Sequence, residues 1–261
     1  MVKTTLLTDQ LSLLAELLGV VAITMLLTLS ARFKIRPLAF KYPRREALVA
    51  LSLVLLLAVG LWLFYTYSPM TLPSVPRTFT YSTDQLLRQV LVVLVILAPF
   101  AAALLIRGQP WRSAGLNRQT LRPSFQLGLA LVAMTIFLRG KIYSLINGVS
   151  LSEFLLLIAV LALGFAEEFA FRGYVQPRLS AWWGERWGWV STAILFALWN
   201  LPVQILVACG TCPKTTDLYS LGINLLDLLV FGLVVGWIMR KSGNILAPAL
   251  YHAIHTWVLF I

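Results

Sequence analysis

The chain has 261 residues, of which 59% are hydrophobic and 12% charged, and its formal net charge is +11. Soluble domains carry about 25% charged residues, and here the apolar excess falls in long blocks, so one buried core cannot absorb it and lipid is the expected solvent. The basic surplus sits in short loops between those blocks, as the positive-inside rule expects; its natural counterpart is the anionic headgroup region of a bilayer, and a nucleic-acid partner is not expected.

Eight apolar spans follow in chain order, and they predict an all-α, polytopic membrane bundle forming a single domain over residues 1–261. The first is Leu11–Ser30, with Glu16 near its start. It lacks a preceding basic region and a small-residue cleavage site, so it reads as a span and not as a signal peptide. The second is Ala47–Tyr67, and the third runs from about Leu86 to Ile106 with a kink expected at Pro99. A short fourth span covers about Ser124–Leu138. The fifth is about Leu151–Phe171, the sixth Trp187–Val207, the seventh Leu221–Met239 and the eighth Ile245–Ile261. The proline-rich segment Ser68–Thr83 predicts an irregular outer connection, and Arg107–Arg122 predicts an inner loop along the interface. Cys209 and Cys212 form a CxxC pair; two sulfurs alone cannot make a structural zinc site, so they read as a local disulfide or two free thiols.

The loops also choose an orientation. Arg32, Lys34, Arg36, Lys41, Arg44 and Arg45 fall on one side, with Arg107, Arg112, Arg118, Arg122, Arg172, Arg178, Arg186, Arg240 and Lys241. That is fifteen of the 21 lysines and arginines, so this face is expected to be cytoplasmic, in a multi-pass protein of the plasma (inner) membrane. Eight spans return both termini to the opposite side, in agreement with the charge bias.

Ionisable side chains inside a bilayer are costly and point to function. The fifth span ends in Gly-Phe-Ala-Glu-Glu-Phe-Ala-Phe-Arg-Gly, residues 164–173. Glu168 and Arg172 are four apart and share a helix face, so they can pair. Glu167 is turned by about 100° from Glu168, which leaves it free to act as a general base on water. The eighth span holds both histidines of the chain, His252 and His255, on adjoining parts of one face. The sixth span carries Asn200, one turn after Phe196 and just before Pro202. Counted from the expected cytoplasmic ends, Glu167, Asn200 and His252 lie roughly 6, 15 and 11 Å deep, so they can line one cavity open to that face. Asp227, mid-way along the seventh span, reads as a structural hydrogen-bonding group, and Glu16 as a residue that reaches the headgroups.

These residues carry a resemblance. Glu167-Glu168-x-x-x-Arg172 followed by Gly173-Tyr174 resembles the EExxxR motif of the CPBP (CAAX protease and bacteriocin-processing, or Abi) family. Phe196-Ala-Leu-Trp-Asn200 stands where that family has FxxxH, and the stretch from Gly232 through Asn244 and Pro248 to His252 resembles the run into its last motif, a histidine followed four residues later by asparagine. The resemblance covers about Glu153–Ile261. It implies an eight-helix intramembrane endopeptidase acting on a peptide or membrane-protein substrate, which in some members is prenylated. Carried over, Glu167 is the base, His252 an oxyanion donor, and Glu168 with Arg172 holds the helix geometry. Asn200 replaces a histidine and Thr256 an asparagine, so a catalytically impaired scaffold or binding protein is the alternative. A small-solute transporter is disfavoured, since no inverted repeat or matched pair of broken helices is visible. No cofactor is expected; zinc is not favoured, because a catalytic zinc usually takes three protein ligands.

Overall fold

The structure is a computed structural model that describes residues 2–33, 38–67, 83–209 and 218–261. It is all-helical, with no strand among the described residues. Each of the eight expected segments overlaps a helix: α1 (Val2–Thr28), α2 (Pro43–Tyr67), α3 (Thr83–Ile106), α4 (Leu121–Leu138), α6 (Leu151–Glu168), α8 (Glu185–Cys209), α9 (Leu218–Ser242) and α10 (Leu246–Trp257). Two short helices intervene, α5 (Ile142–Ile146) and α7 (Gln176–Trp183). Among the described residues, five helical stretches are long and apolar enough to cross a membrane: Leu11–Thr28, Gln89–Ile106, Leu121–Leu138, Leu151–Trp183 and Leu221–Ser242. α10 has 12 residues, a rise of about 18 Å against a hydrocarbon core of about 30 Å. α3 continues as one helix through Pro99. The segment 68–82 and Cys212 lie outside the described residues, as does the side chain of Cys209.

Local chemistry sets the key boundaries. α6 starts at a capping box: the Glu153 backbone N–H donates to Ser150 Oγ at 3.2 Å, and the Ser150 N–H donates to Glu153 Oε2 at 2.7 Å. This satisfies two of the N–H groups a helix leaves orphaned. α9 and α10 are joined by a tight turn at Gly243, whose φ of 63° is left-handed and favours glycine. Asn244 fastens that turn: its Oδ1 accepts from the Leu246 N–H at 3.1 Å, and its Nδ2 donates to the Asn117 carbonyl at 2.9 Å. The Ile245 N–H donates to the Gly115 carbonyl at 3.0 Å. The Ser-Gly-Asn run before α10 is thus a turn that fixes how far α10 enters the bundle.

The segment 107–122 departs from the expected interfacial loop. It folds inward through a 3-10 turn, Trp111–Ala114, and buries Ser113, Ala114, Gly115 and Thr120. The cause is backbone pairing: its carbonyls receive N–H groups from the α9–α10 turn, so its polar backbone is met inside the protein. α10 packs against both α4 and α6, while α8 packs along α9.

Candidate active site

The site is built where α6 changes its winding. The chain passes from α6 directly into a π-helical segment, Phe169–Val175, and on into α7. Every residue of the π segment is buried. Such wide turns are rare and recur at functional sites. Gly173 lets the segment approach the 107–122 fold, since a Cβ there would stand 2.3 Å from the Ala114 carbonyl oxygen.

Two adjacent carboxylates then diverge. Glu168 Oε1 accepts from Arg172 Nη1 at 3.1 Å, the pairing that the four-residue spacing anticipates. The same oxygen lies 2.8 Å from His252 Nδ1. Arg172 is fully buried, donates to the Gly232 carbonyl at 3.3 Å and lies 4.2 Å over the Phe196 ring. It therefore ties the π segment to α9 and α8 while its charge is balanced by Glu168. Glu168 Oε2 and Arg172 Nε are buried with no hydrogen-bond partner among the described residues.

Glu167 faces another way. Its Oε1 accepts from the indole N–H of Trp199 at 3.3 Å, and its Oε2 lies 3.6 Å from His252 Nε2. That separation is longer than a hydrogen bond, and Glu167 is 8% exposed. His252 thus stands between both carboxylates. An ionised Glu168 accepts only, so its contact assigns the proton of a neutral His252 to Nδ1 and leaves the Nε2 lone pair toward Glu167. The ring is held edge-on by Phe196 and Phe231, at 5.9 and 4.9 Å.

Asn200 and Thr256 use their donors on their own helices. Asn200 Nδ2 donates to the Phe196 carbonyl at 2.9 Å, and Thr256 Oγ1 donates to the His252 carbonyl at 3.0 Å. The α8 donor on Glu167 is Trp199, which its sequence neighbours do not single out: an indole in an apolar helix reads as packing.

His255 belongs to a second cluster. Its Nδ1 lies 2.7 Å from Glu16 Oε1, the same oxygen accepts from the Tyr251 hydroxyl at 2.9 Å, and Arg139 pairs with Oε2. Glu16 is fully buried, which corrects its reading as a residue reaching the headgroups: three partners on α10 and at the end of α4 draw it inward. Phe231 lies between the clusters, stacked on His255 at 4.7 Å. Asp227 lies apart from these clusters. It is exposed, on a stretch of α9, residues 221–230, in which none is buried. No set of three His, Cys, Asp or Glu side chains among the described residues is arranged to hold a metal ion.

A third cluster fastens the basic-rich face. Glu46, at the start of α2, pairs with Arg107, accepts from Gln109 Nε2 at 2.8 Å and lies 3.7 Å from Arg178 Nε. Burial raises its carboxyl, but the hydrogen bonds from Arg107 and Gln109 and the two guanidinium charges outweigh that and hold it below the ordinary glutamate range. Arg178 is itself fully buried, donating to the Tyr174 carbonyl at 2.7 Å and lying 3.4 Å over the Tyr174 ring.

Comparison with known proteins bears on one part of the chain. Residues 149–258 match the family model of the type II CAAX prenyl endopeptidase Rce1-like proteins. No curated protein and no solved structure matches the chain. The matched segment holds Glu167, Glu168, Arg172, Trp199, Asn200 and His252, whereas Glu16, Glu46, Arg107 and Arg139 precede it. Through that segment the chain is similar to the type II CAAX prenyl endopeptidase Rce1-like family.

Proposed function

We propose that this protein is an intramembrane endopeptidase that cleaves a peptide bond near its basic, cytoplasmic face, with a water activated by Glu167 and His252. The observation that carries the reading is the Glu167 carboxylate: Trp199 holds one oxygen, while the other, partly accessible, faces His252 Nε2 at 3.6 Å. A water between these two atoms would give up a proton as its oxygen attacks the scissile carbonyl carbon. The proton passes to the Glu167–His252 pair and then to the departing amine nitrogen as the C–N bond breaks. Once protonated at Nε2, His252 is a donor and can stabilise the oxyanion of the tetrahedral intermediate. Glu168 keeps the ring in the required tautomer, and Arg172 keeps Glu168 in place. Asn200, whose amide is turned to its own helix, contributes polarity beside the site and no proton.

The description of the matched family supports a prenylated peptide as the substrate class. The reaction as written needs no cofactor; a loss of cleavage on zinc chelation that added zinc reverses would replace it.

The test compares cleavage of a prenylated peptide library by the wild type and Glu167→Ala in proteoliposomes. Removing the base lowers the rate by about 10²–10⁴ with the fold intact. Equal cleavage by both proteins would reject Glu167 as the base. No cleavage by either, with a cellular phenotype that survives Glu167→Ala, would instead support a scaffold.

A further inference from the structure

A second binding feature lies away from this site, at the start of α2. Lys41, Tyr42, Pro43, Arg44 and Arg45 open a cavity of about 670 Å³ that continues along Leu48, Val49, Ser52 and Leu53. Positions 45, 48, 49, 52 and 53 follow the spacing of a single helix face. The cavity is therefore a groove with cations at its head and a mainly apolar wall extending about 12 Å down the helix.

The cations at the head enter no ion pair among the described residues. Lys41, Arg44 and Arg45 are all exposed. The neighbouring acid, Glu46, is turned inward to Arg107, Gln109 and Arg178. Lys41 lies 5.3 Å over the Tyr42 ring and Arg44 6.0 Å over the Trp182 ring of α7, which holds them at the mouth of the groove.

We propose that this groove is a specific site for one anionic glycerophospholipid, its phosphate on Lys41, Arg44 and Arg45 and an acyl chain along Leu48, Val49 and Leu53. A free phosphate would satisfy the head and leave the apolar wall uncovered; a neutral lipid would cover the wall and leave three cations unmatched. A lipid with a charged head and a hydrocarbon tail matches both in the order in which the helix presents them. Basic pockets beside membrane helices recognise such headgroups through these same two elements.

The experiment is native mass spectrometry of the full chain in detergent, titrated with phosphatidylglycerol or phosphatidylcholine. One phosphatidylglycerol should bind saturably per chain, at least about tenfold more tightly than phosphatidylcholine. The triple variant Lys41→Gln/Arg44→Gln/Arg45→Gln should lose about a hundredfold in affinity, from roughly fivefold per basic residue. Arg118→Gln/Arg122→Gln, which removes charge from exposed positions elsewhere on the basic-rich side, should leave binding unchanged. Should the triple variant fail to fold, Arg45→Glu serves in its place, since the position is exposed and a like charge would then face the phosphate. Equal binding of the two lipids, equal losses in both charge variants, or displacement of the lipid by glycerol phosphate at equal concentration would overturn the proposal.

Discussion

α10 presents two histidines three residues apart, and each meets a glutamate from another helix, yet the two pairs are built to different ends. Around Glu16 every oxygen is used: Tyr251 and His255 share one, Arg139 takes the other, and the carboxylate is fully buried. Around Glu167 one oxygen takes the Trp199 indole while the other keeps its distance from His252 and is partly accessible. A saturated carboxylate in a low-dielectric interior stitches helices together, because any lost partner leaves a buried charge uncompensated. An unsaturated one has lone pairs for a water or a substrate. The count of unused acceptors distinguishes the candidate catalytic centre from its neighbour, where the presence of a histidine and a glutamate does not.

The sharpest way to break this comparison is to remove each histidine in turn. His252→Ala should lower peptide cleavage by about 10²–10⁴, the usual range for an acid–base group, with a modest change in thermal unfolding. His255→Ala should do the reverse, lowering Tm while the folded protein cleaves within about tenfold of the wild type. Similar losses of cleavage in the two variants, with unfolding unchanged in both, would make the clusters functionally equivalent and would remove the assignment.

Next in size is Glu16→Ala. It strips three donors of their shared acceptor and leaves Arg139 without its carboxylate, so a loss of about 3 kcal/mol in stability is expected, at the low end for breaking a buried pair. Because Glu16 precedes the matched segment, this variant also tests whether α1 is integral to the packing of that segment. Unchanged unfolding in detergent would show that the contact between α1 and α10 carries no stability.

Spacing made part of this legible. Glu168 and Arg172 are one turn apart, and the structure pairs them even though the helix has widened into a π segment around them. The helical segments were legible too, since uninterrupted apolar blocks leave few alternatives in lipid. The Glu16 cluster was not, because its partners lie 123 to 239 residues away and no local period encodes them. Tyr251 and His255 do share a helix face at four-residue spacing, which marks a polar stripe on α10 without naming what meets it. Nor could the inward fold of 107–122 be read, as its carbonyls are met by the Ile245 backbone N–H and the Asn244 side chain, from a turn far along the chain that no local period encodes.

Trp199 sharpens the comparison within the candidate site. Trp199→Phe keeps an aromatic ring against Phe171, which now lies 5.6 Å away, and deletes the N–H that holds Glu167 Oε1. Hydrogen bonds to charged groups contribute about 1.5–3 kcal/mol, so cleavage should fall by about 10- to 100-fold, mostly in kcat, with little change in Tm. A rise in KM alone would recast Trp199 as part of the substrate wall.

The smallest effect concerns Glu46, a carboxylate as fully partnered as Glu16 but placed at the head of α2, on the basic-rich side, where bulk pH reaches it. Its carboxyl is held below the ordinary glutamate range in the folded protein, the hydrogen bonds from Arg107 and Gln109 outweighing burial. A group with a depressed folded value contributes stability above its unfolded value and loses that contribution as pH falls through the folded one. The wild type should therefore be more stable than Glu46→Gln at neutral pH, and the gap should close as the solution is acidified below the glutamate range. Urea unfolding of both proteins in detergent between neutral and acid pH measures that gap. A gap for Glu46→Gln that is independent of pH would mean that Arg107 and Arg178 stabilise this face through packing and not through the charge of Glu46.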